Sequence, residues 1–239
     1  MEGGLGDDQI DASILLDVAN ANSRATNGLY GGDGGDNLQA IIHIATYNTT
    51  IYKSDPAATP PIPVVAVNTL SGGAGGDVLL ARIQIDATVT DDPSFLYPGS
   101  PDAVSVAPIA YSRLDGGAGN DMLTVIGGNG NVLIGGAGND ILIGGDGQDT
   151  FTGGWGADRF VFARTGSSPA SPDVITDFAT GQGDKIDFSA MSVTMSDLVI
   201  THGSGNSYTV AIDFDHNGGA DFALIVMSAK PLGDGAFIF

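Results

Sequence analysis

The chain has 239 residues, a formal net charge of −20 and 37 glycines, roughly twice the ordinary ~7% glycine share. Of its 28 acidic residues all but Glu2 are Asp, against only 8 Lys and Arg, which excludes a basic nucleic-acid footprint and attraction to an anionic membrane surface. No apolar run approaches the ~20 residues of a spanning helix, and the absence of cysteine removes disulfides, thiolate metal sites and cysteine nucleophiles.

The N-terminus, MEGGLGDDQI, lacks the charged and apolar regions of a secretory signal peptide. Export would therefore use a route that does not read the N-terminus. A nine-residue pattern, Gly-Gly-x-Gly-x-Asp-x-U-x with U apolar, starts at Gly3. It recurs in full from Gly31, Gly72, Gly116, Gly135, Gly144 and Gly153. A degenerate copy, IGGNGNVLI, fills 126–134 with Asn131 at the Asp position. Repeats of this kind predict a solenoid, in which each unit buries its apolar side chain only by stacking on its neighbours.

Two nonapeptides make one coil, so turns on the same side recur every 18 residues, as Asp140 and Asp158 do. Asn131 and Asp149 hold the opposite side. Asp121 and Asp140 are 19 apart, with Val125 as the surplus residue. The first three steps are 28, 41 and 44 residues and predict enlarged coils. Asp8, Asp36, Asp77, Asp121, Asp140 and Asp158 then form one column, while the far side swells into loops. The runs IDASILLDVA, QAIIHIATY and LARIQIDATV read as strands after the early turns, and NGLY, PVVAVNTL and AVSVAPIAYSRL as strands before the next ones. The breaker-rich stretches between them read as exposed loops.

The turns have a clear chemical use. Glycine admits positive φ and close backbone approach, so carbonyl oxygens can converge on one point. Asp adds a hard anionic oxygen, and calcium takes six to eight such oxygens. Two carboxylates ~5 Å apart at an effective dielectric of ~20 repel by roughly 3 kcal/mol, so a column of them needs cations.

This repeat resembles the calcium-binding nonapeptide of RTX (repeats-in-toxin) proteins. The resemblance implies an all-β fold: a parallel β-roll over 1–161, with enlarged coils over 1–115 and regular repeats over 116–161. A β-rich C-terminal cap over 162–239 would follow. It also implies ligands. Carbonyls at positions one, three and five of a turn face one ion; those at two and four, with the Asp side chain, face the next. On this sequence the regular turns supply Gly116, Gly117, Ala118, Gly119, Asn120 and Asp121, then Gly135, Gly136, Ala137, Gly138, Asn139 and Asp140. Gly144, Gly145, Asp146, Gly147, Gln148 and Asp149 follow, then Gly153, Gly154, Trp155, Gly156, Ala157 and Asp158. In the early turns the candidates are Gly4, Gly6 and Asp8; Gly32, Gly34 and Asp36; Gly73, Gly75 and Asp77. The degenerate turn offers Gly128 and Asn131, whose neutral oxygen implies a weaker site.

The segments ADRFVF, DVITDF, GDKIDFS and GGADF and the terminus AFIF are similar to the C-terminal domain of serralysin-type metalloproteases and to the last R-module of secreted alginate epimerases. In that family the domain caps the roll and its uncleaved C-terminus is the type I secretion signal. Here Gly235 and Ala236 separate Asp234 from the apolar end. The resemblance makes Asp177 and Asp184 ligands where roll meets cap. Strands are predicted at 160–163, 174–176 and 185–188, a helical turn near 192–198 capped by Ser192 or Ser196, and a hairpin from SYTVAIDF and DFALIVM.

No H-E-x-x-H, G-x-S-x-G or phosphate-loop motif is present. His43, His202 and His216 read as structural or exposed side chains. DFDHNGGAD, residues 213–221, begins like an EF-hand loop but has Leu224 at its twelfth position, leaving a polar hairpin or a calcium site open. The expectation is a non-enzymatic, secreted module that binds several calcium ions. It would be the C-terminal part of a larger protein, with the type I secretion machinery as a partner. A cell-surface or polysaccharide partner held by the loops at 46–63 and 90–103, and an accessory role beside a protease or epimerase, are the alternatives.

Overall fold

The computed structural model describes residues 1–16, 24–44, 50–52, 65–85, 103–105, 109–164 and 166–239, with backbone alone at 16, 50–52 and 103–105. Glycine-rich turns carry the chain back and forth between two parallel sheets. The first holds β1 (Glu2–Leu5), β3 (Arg24–Asp33), β6 (Val65–Ala74), β9 (Ile109–Ala118), β11 (Val132–Ala137) and β13 (Thr150–Trp155). The second holds β2 (Gln9–Leu16), β4 (Asn37–Ile44), β7 (Val78–Ile85), β10 (Met122–Ile126), β12 (Ile141–Ile143) and β14 (Arg159–Val161). The result is an open parallel β-roll.

A double column of inward apolar residues, one from each of ten strands, runs through the core. Leu29, Leu70, Leu114, Leu133 and Phe151 line the first sheet, and Leu38, Leu79, Leu123, Leu142 and Phe160 face them from the second. All ten are fully buried, each contributing roughly 1.5–3 kcal/mol of transfer free energy.

The early coils widen by lengthening strands, not only loops. β3, β6 and β9 have 10 residues, against 6 in β11 and β13. The extra length buries a second cluster of Ala25, Ile42, Ile44, Ala66 and Ile83. Val125 marks the step: β10 pairs with β12 over Met122–Thr124 but with β7 as far as Ile126. β5 (Thr50–Tyr52), inside a stretch that composition reads as loop, pairs antiparallel with β8 (Ala103–Ser105), at the start of the run AVSVAPIAYSRL that reads as strand.

The C-terminal third extends both sheets without a break. β15 (Asp173–Phe178) pairs parallel with β13, and β19 (Phe222–Ser228) with β15. β18 (Ser207–Ile212) and β17 (Leu198–His202) add antiparallel strands beyond β19. On the second sheet β16 (Lys185–Asp187) follows β14, and β20 (Phe237–Ile238) follows β16. Phe162, Phe188 and Phe222 form an aromatic cluster here, with ring centroids 5.7–6.1 Å apart. The short turn at Met195–Asp197 is opened by Thr194 rather than by Ser192 or Ser196: Asp197 Oδ2 accepts from the Thr194 N–H at 2.8 Å and from its hydroxyl at 2.9 Å. Among the described residues no helix is long and apolar enough to cross a membrane.

Candidate metal centre

The repeat aspartates stack on the edge where each first-sheet strand turns into its second-sheet partner. The N–H of Asp8 donates to Asp36 Oδ1, Asp36 to Asp77, Asp77 to Asp121, Asp121 to Asp140, Asp140 to Asp158 and Asp158 to Asp184, all at 2.7–3.1 Å. From Asp36 onwards, one oxygen of each carboxylate is thus fixed by the preceding turn.

The other oxygen is not. Oδ2 of Asp8, Asp36, Asp77, Asp121, Asp140 and Asp158 is buried and has no hydrogen-bond partner. Each lies in a cradle at the first glycine of its own turn. A Cβ on Gly3 would meet Asp8 Oδ2 at 2.5 Å and the Gly31 carbonyl at 2.6 Å; one on Gly116 would meet Asp121 Oδ2 at 2.5 Å and the Gly135 carbonyl at 2.6 Å. The same pairing recurs at Gly31, Gly72 and Gly135. An orphaned anionic oxygen facing a carbonyl of the next coil is costly without a partner. A hard cation supplies one, and carboxylate plus carbonyl oxygens are calcium's donor set.

Burial raises these carboxyls. Asp140 is pushed up to about 7 and Asp77 to about 6, with further upward contributions from the neighbouring acids of the column. Asp121 and Asp158 shift the same way, again chiefly by burial.

The turn backbone is shaped for stacking. Gly73 has φ +112° and a Cβ there would strike the Gly32 carbonyl; Gly119, at φ +142°, stands in the same relation to Gly75. Carbonyls of Ala118, Ala137 and Trp155 accept the N–H groups of Gly75, Gly119 and Gly138 at 2.6–2.7 Å. The fifth position has a role that sequence reasoning missed. Asn120 Oδ1 accepts the Asn139 N–H at 2.7 Å, and Asn139 Oδ1 accepts the Ala157 N–H at 2.8 Å. The recurring Asn before Asp was the available signal.

The opposite edge is built differently. Ser112, Asn131, Asp149 and Asp173 are buried and stack there. Asn131 donates its N–H and its amide to Asp149 Oδ1 at 3.0 and 2.7 Å, and Gly145 donates to Asp149 Oδ2 at 3.0 Å. Asp173 Oδ1 accepts the Asp149 N–H at 2.7 Å. Both oxygens of Asp149 are therefore satisfied by donors, with Gly144, Asp146, Gly147 and Gln148 completing that turn and Gly128 the one above it. Burial raises Asp149 to about 6 and Asp173 to about 8. In the wide coils the column continues as Asn27 and Asn68, whose side chains are joined by a 3.0 Å hydrogen bond. Asn27 also donates to the Ile41 carbonyl and Asn68 to the Arg82 carbonyl, both at 3.2 Å. This amide pair separates the two apolar clusters and was not anticipated. Its signal was inward parity: Asn27 alternates with Ala25 and Leu29 on one strand.

At the junction with the cap, Asp177 accepts the N–H groups of Gly153 and Gly154 at 2.9 and 2.8 Å. Asp184 accepts those of Asp158 and Ala179 at 3.1 and 2.8 Å. Burial raises Asp184 to about 6. In the 213–221 hairpin, carboxylate oxygens of Asp213, Asp215 and Asp221 lie within 4.8 Å of one another. Gly218 and Phe214 donate to Asp213 and Asp221 at 2.8 Å. His202 packs edge-on to Tyr208 at 4.8 Å. Trp155 is 79% exposed. The loops proposed to grip a polysaccharide, 46–63 and 90–103, lie outside the described residues apart from the backbone at 50–52 and 103.

No curated protein matches the chain. Among solved structures it is similar to two subunits of the Azotobacter vinelandii mannuronan C5-epimerase. AlgE6R3 is 26% identical, with 56% of this chain and 76% of that one covered and a TM-score of 0.36. AlgE6R2 is 24% identical, with 77% and 96% covered and a TM-score of 0.31. A family model described as Peptidase M10 serralysin C terminal matches residues 61–234. With the stacked turns and the cap that extends them, that match over most of the chain identifies it as a member of the serralysin C-terminal family.

Proposed function

We propose that this chain is a calcium-binding, non-catalytic module of a secreted protein, and that its roll closes when calcium reaches the first-edge turns. The observation that carries this is the row of six buried Oδ2 atoms without a hydrogen-bond partner. Asp8, Asp36, Asp77, Asp121, Asp140 and Asp158, with first-glycine carbonyls of the next coil, are the residues that would hold the ions. The cation supplies positive charge to a column that otherwise repels itself. Magnesium fits poorly, because it demands octahedral geometry and gives up its water reluctantly. The opposite edge, where Asn131 and Gly145 already satisfy Asp149, is the weaker side.

In calcium-poor cytosol the column stays open and the chain unfolded, fit for threading through a type I exporter. Millimolar calcium outside the cell drives folding. The family membership supports a secreted parent. Residues 1–161 act as the roll and 162–239 as the cap, with the apolar terminus as the export signal. Circular dichroism during a calcium titration tests this: β signal should rise with calcium and not with magnesium. A fully folded spectrum in chelator would overturn it.

A further inference from the structure

The turn after β15, the end of β19 and the tip of the β17–β18 hairpin enclose a cavity of about 430 Å³, within the ~300–1,000 Å³ range of small-molecule sites. Phe178, Ala179, Met227 and Ala229 give it an apolar lining. Phe178 is buried, and Met227 is 37% exposed.

The walls are held by bonds made outside the cavity. The Ala179 N–H donates to Asp184 Oδ2 at 2.8 Å, and the Gln182 N–H to the Ala179 carbonyl at 2.9 Å. Gln182 ties this wall to the roll: its side chain accepts the Gly156 N–H at 3.0 Å and donates to the Gly154 carbonyl at 3.1 Å. On the other wall the Ser228 N–H donates to the Asn206 carbonyl at 2.8 Å, and the Ser228 hydroxyl to the Lys230 carbonyl at 2.9 Å. The space is therefore preformed.

Two polar groups of the lining are unused. Among the described residues the Lys230 ammonium has no hydrogen-bond or ion-pair partner, and neither has the Asn206 side-chain amide. A Cβ on Gly181 would lie 3.5 Å from Lys230 Nζ, so the ammonium reaches across to the opposite wall. The chain has 28 acidic residues, yet the one in this lining, Asp177, gives its two oxygens to the Gly153 and Gly154 N–H groups. Other cations near the cap are engaged: Arg159 pairs with Asp187, and Lys185 donates to the Gly235 carbonyl.

We propose that this cavity binds a small aliphatic monocarboxylate, with its alkyl chain against Phe178 and Met227 and its carboxylate between Lys230 Nζ and the Asn206 amide. An ammonium and a neutral amide are two donors for the two oxygens of one carboxylate, and the ammonium bond is charge-assisted. A cationic head would meet Lys230, and an alcohol would leave its charge unpaired. A dianion would face more repulsion from Asp177 and from the net charge of −20 than a single charge does, and a compact one offers nothing to Met227.

The test is methyl NMR of the full chain, labelled at methionine, in millimolar calcium with hexanoate as probe. The Met227 methyl should shift saturably with a midpoint near ~1 mM. The Met122 and Met191 methyls, on β10 and in the cap core, should hold their positions and report the fold in the same spectra. Hexylamine should leave Met227 unmoved, and hexanol should bind at least tenfold more weakly than hexanoate. Lys230→Met keeps the apolar stem and removes the charge; it should weaken hexanoate at least tenfold, and Lys230→Arg should retain binding. A Met227 methyl that does not move by ~10 mM hexanoate overturns the proposal. So does equal binding of hexanol, or unchanged affinity in Lys230→Met.

Discussion

The Asp77 N–H donates to Asp121 Oδ1 at 2.7 Å across 44 residues of sequence, while Asp140 and Asp158, 18 residues apart, are joined at 3.0 Å. Column spacing is thus independent of coil length. The inserted residues lengthen strands toward the far edge and leave the aspartate edge unchanged.

Substitutions that neutralise the orphaned oxygens should separate the two edges. Asp140→Asn or Asp121→Asn should raise the calcium midpoint for folding several-fold. Asp149→Asn removes an anion whose oxygens already accept hydrogen bonds, and should shift the midpoint less. Calcium titrations of the three variants side by side decide this.

Protons should partly replace calcium. Burial holds Asp77 and Asp184 at about 6, Asp140 at about 7 and Asp173 at about 8, all above the unfolded value near 3.9. Their folded forms bind more protons, so their contribution is full below the unfolded value and is lost as pH rises through about 6 to 8. In chelator, stability should rise as pH falls from 8 to 5. In calcium the same protons compete with the ion, so calcium affinity should fall over that range. Urea midpoints at each pH, with and without calcium, check both signs.

The glycine cradle can be graded. Gly73→Ala combines a positive φ with a Cβ against the Gly32 carbonyl, and should cost more than ~2 kcal/mol. Gly4→Ala carries the same backbone strain without the clash, and should cost about half as much. Denaturant unfolding in calcium measures the difference.

The buried amide pair should matter in the wide coils alone. Asn68→Ala leaves Asn27 without one of its two acceptors and should cost about 1–3 kcal/mol. Chemical denaturation in saturating calcium gives the value, and amide exchange should localise the loosening to β3, β4, β6 and β7.

The aspartate edge was legible because its chemistry is local: six consecutive residues specify each turn, and the apolar residue two places on specifies the strand. The Asn27–Asn68 pair was not, because parity in TNGLY and AVNTL turns each Asn inward but does not show that the two meet until β3 and β6 are placed in register. The pairing of β19 with β15, and of Phe237 with Ile186, depends on contacts about 50 residues apart, which alternation cannot supply. The Thr194 opening of the short turn was not legible beside Ser192 and Ser196, because Ser and Thr both favour that place.

The most direct test of calcium-coupled closure is far-UV circular dichroism of the whole chain at pH 8, from chelator to about ten millimolar calcium, with magnesium as control. A cooperative gain of β signal with calcium alone is expected. A chain already fully β in chelator would contradict it, and would assign the stability of the roll to its leucine and phenylalanine columns.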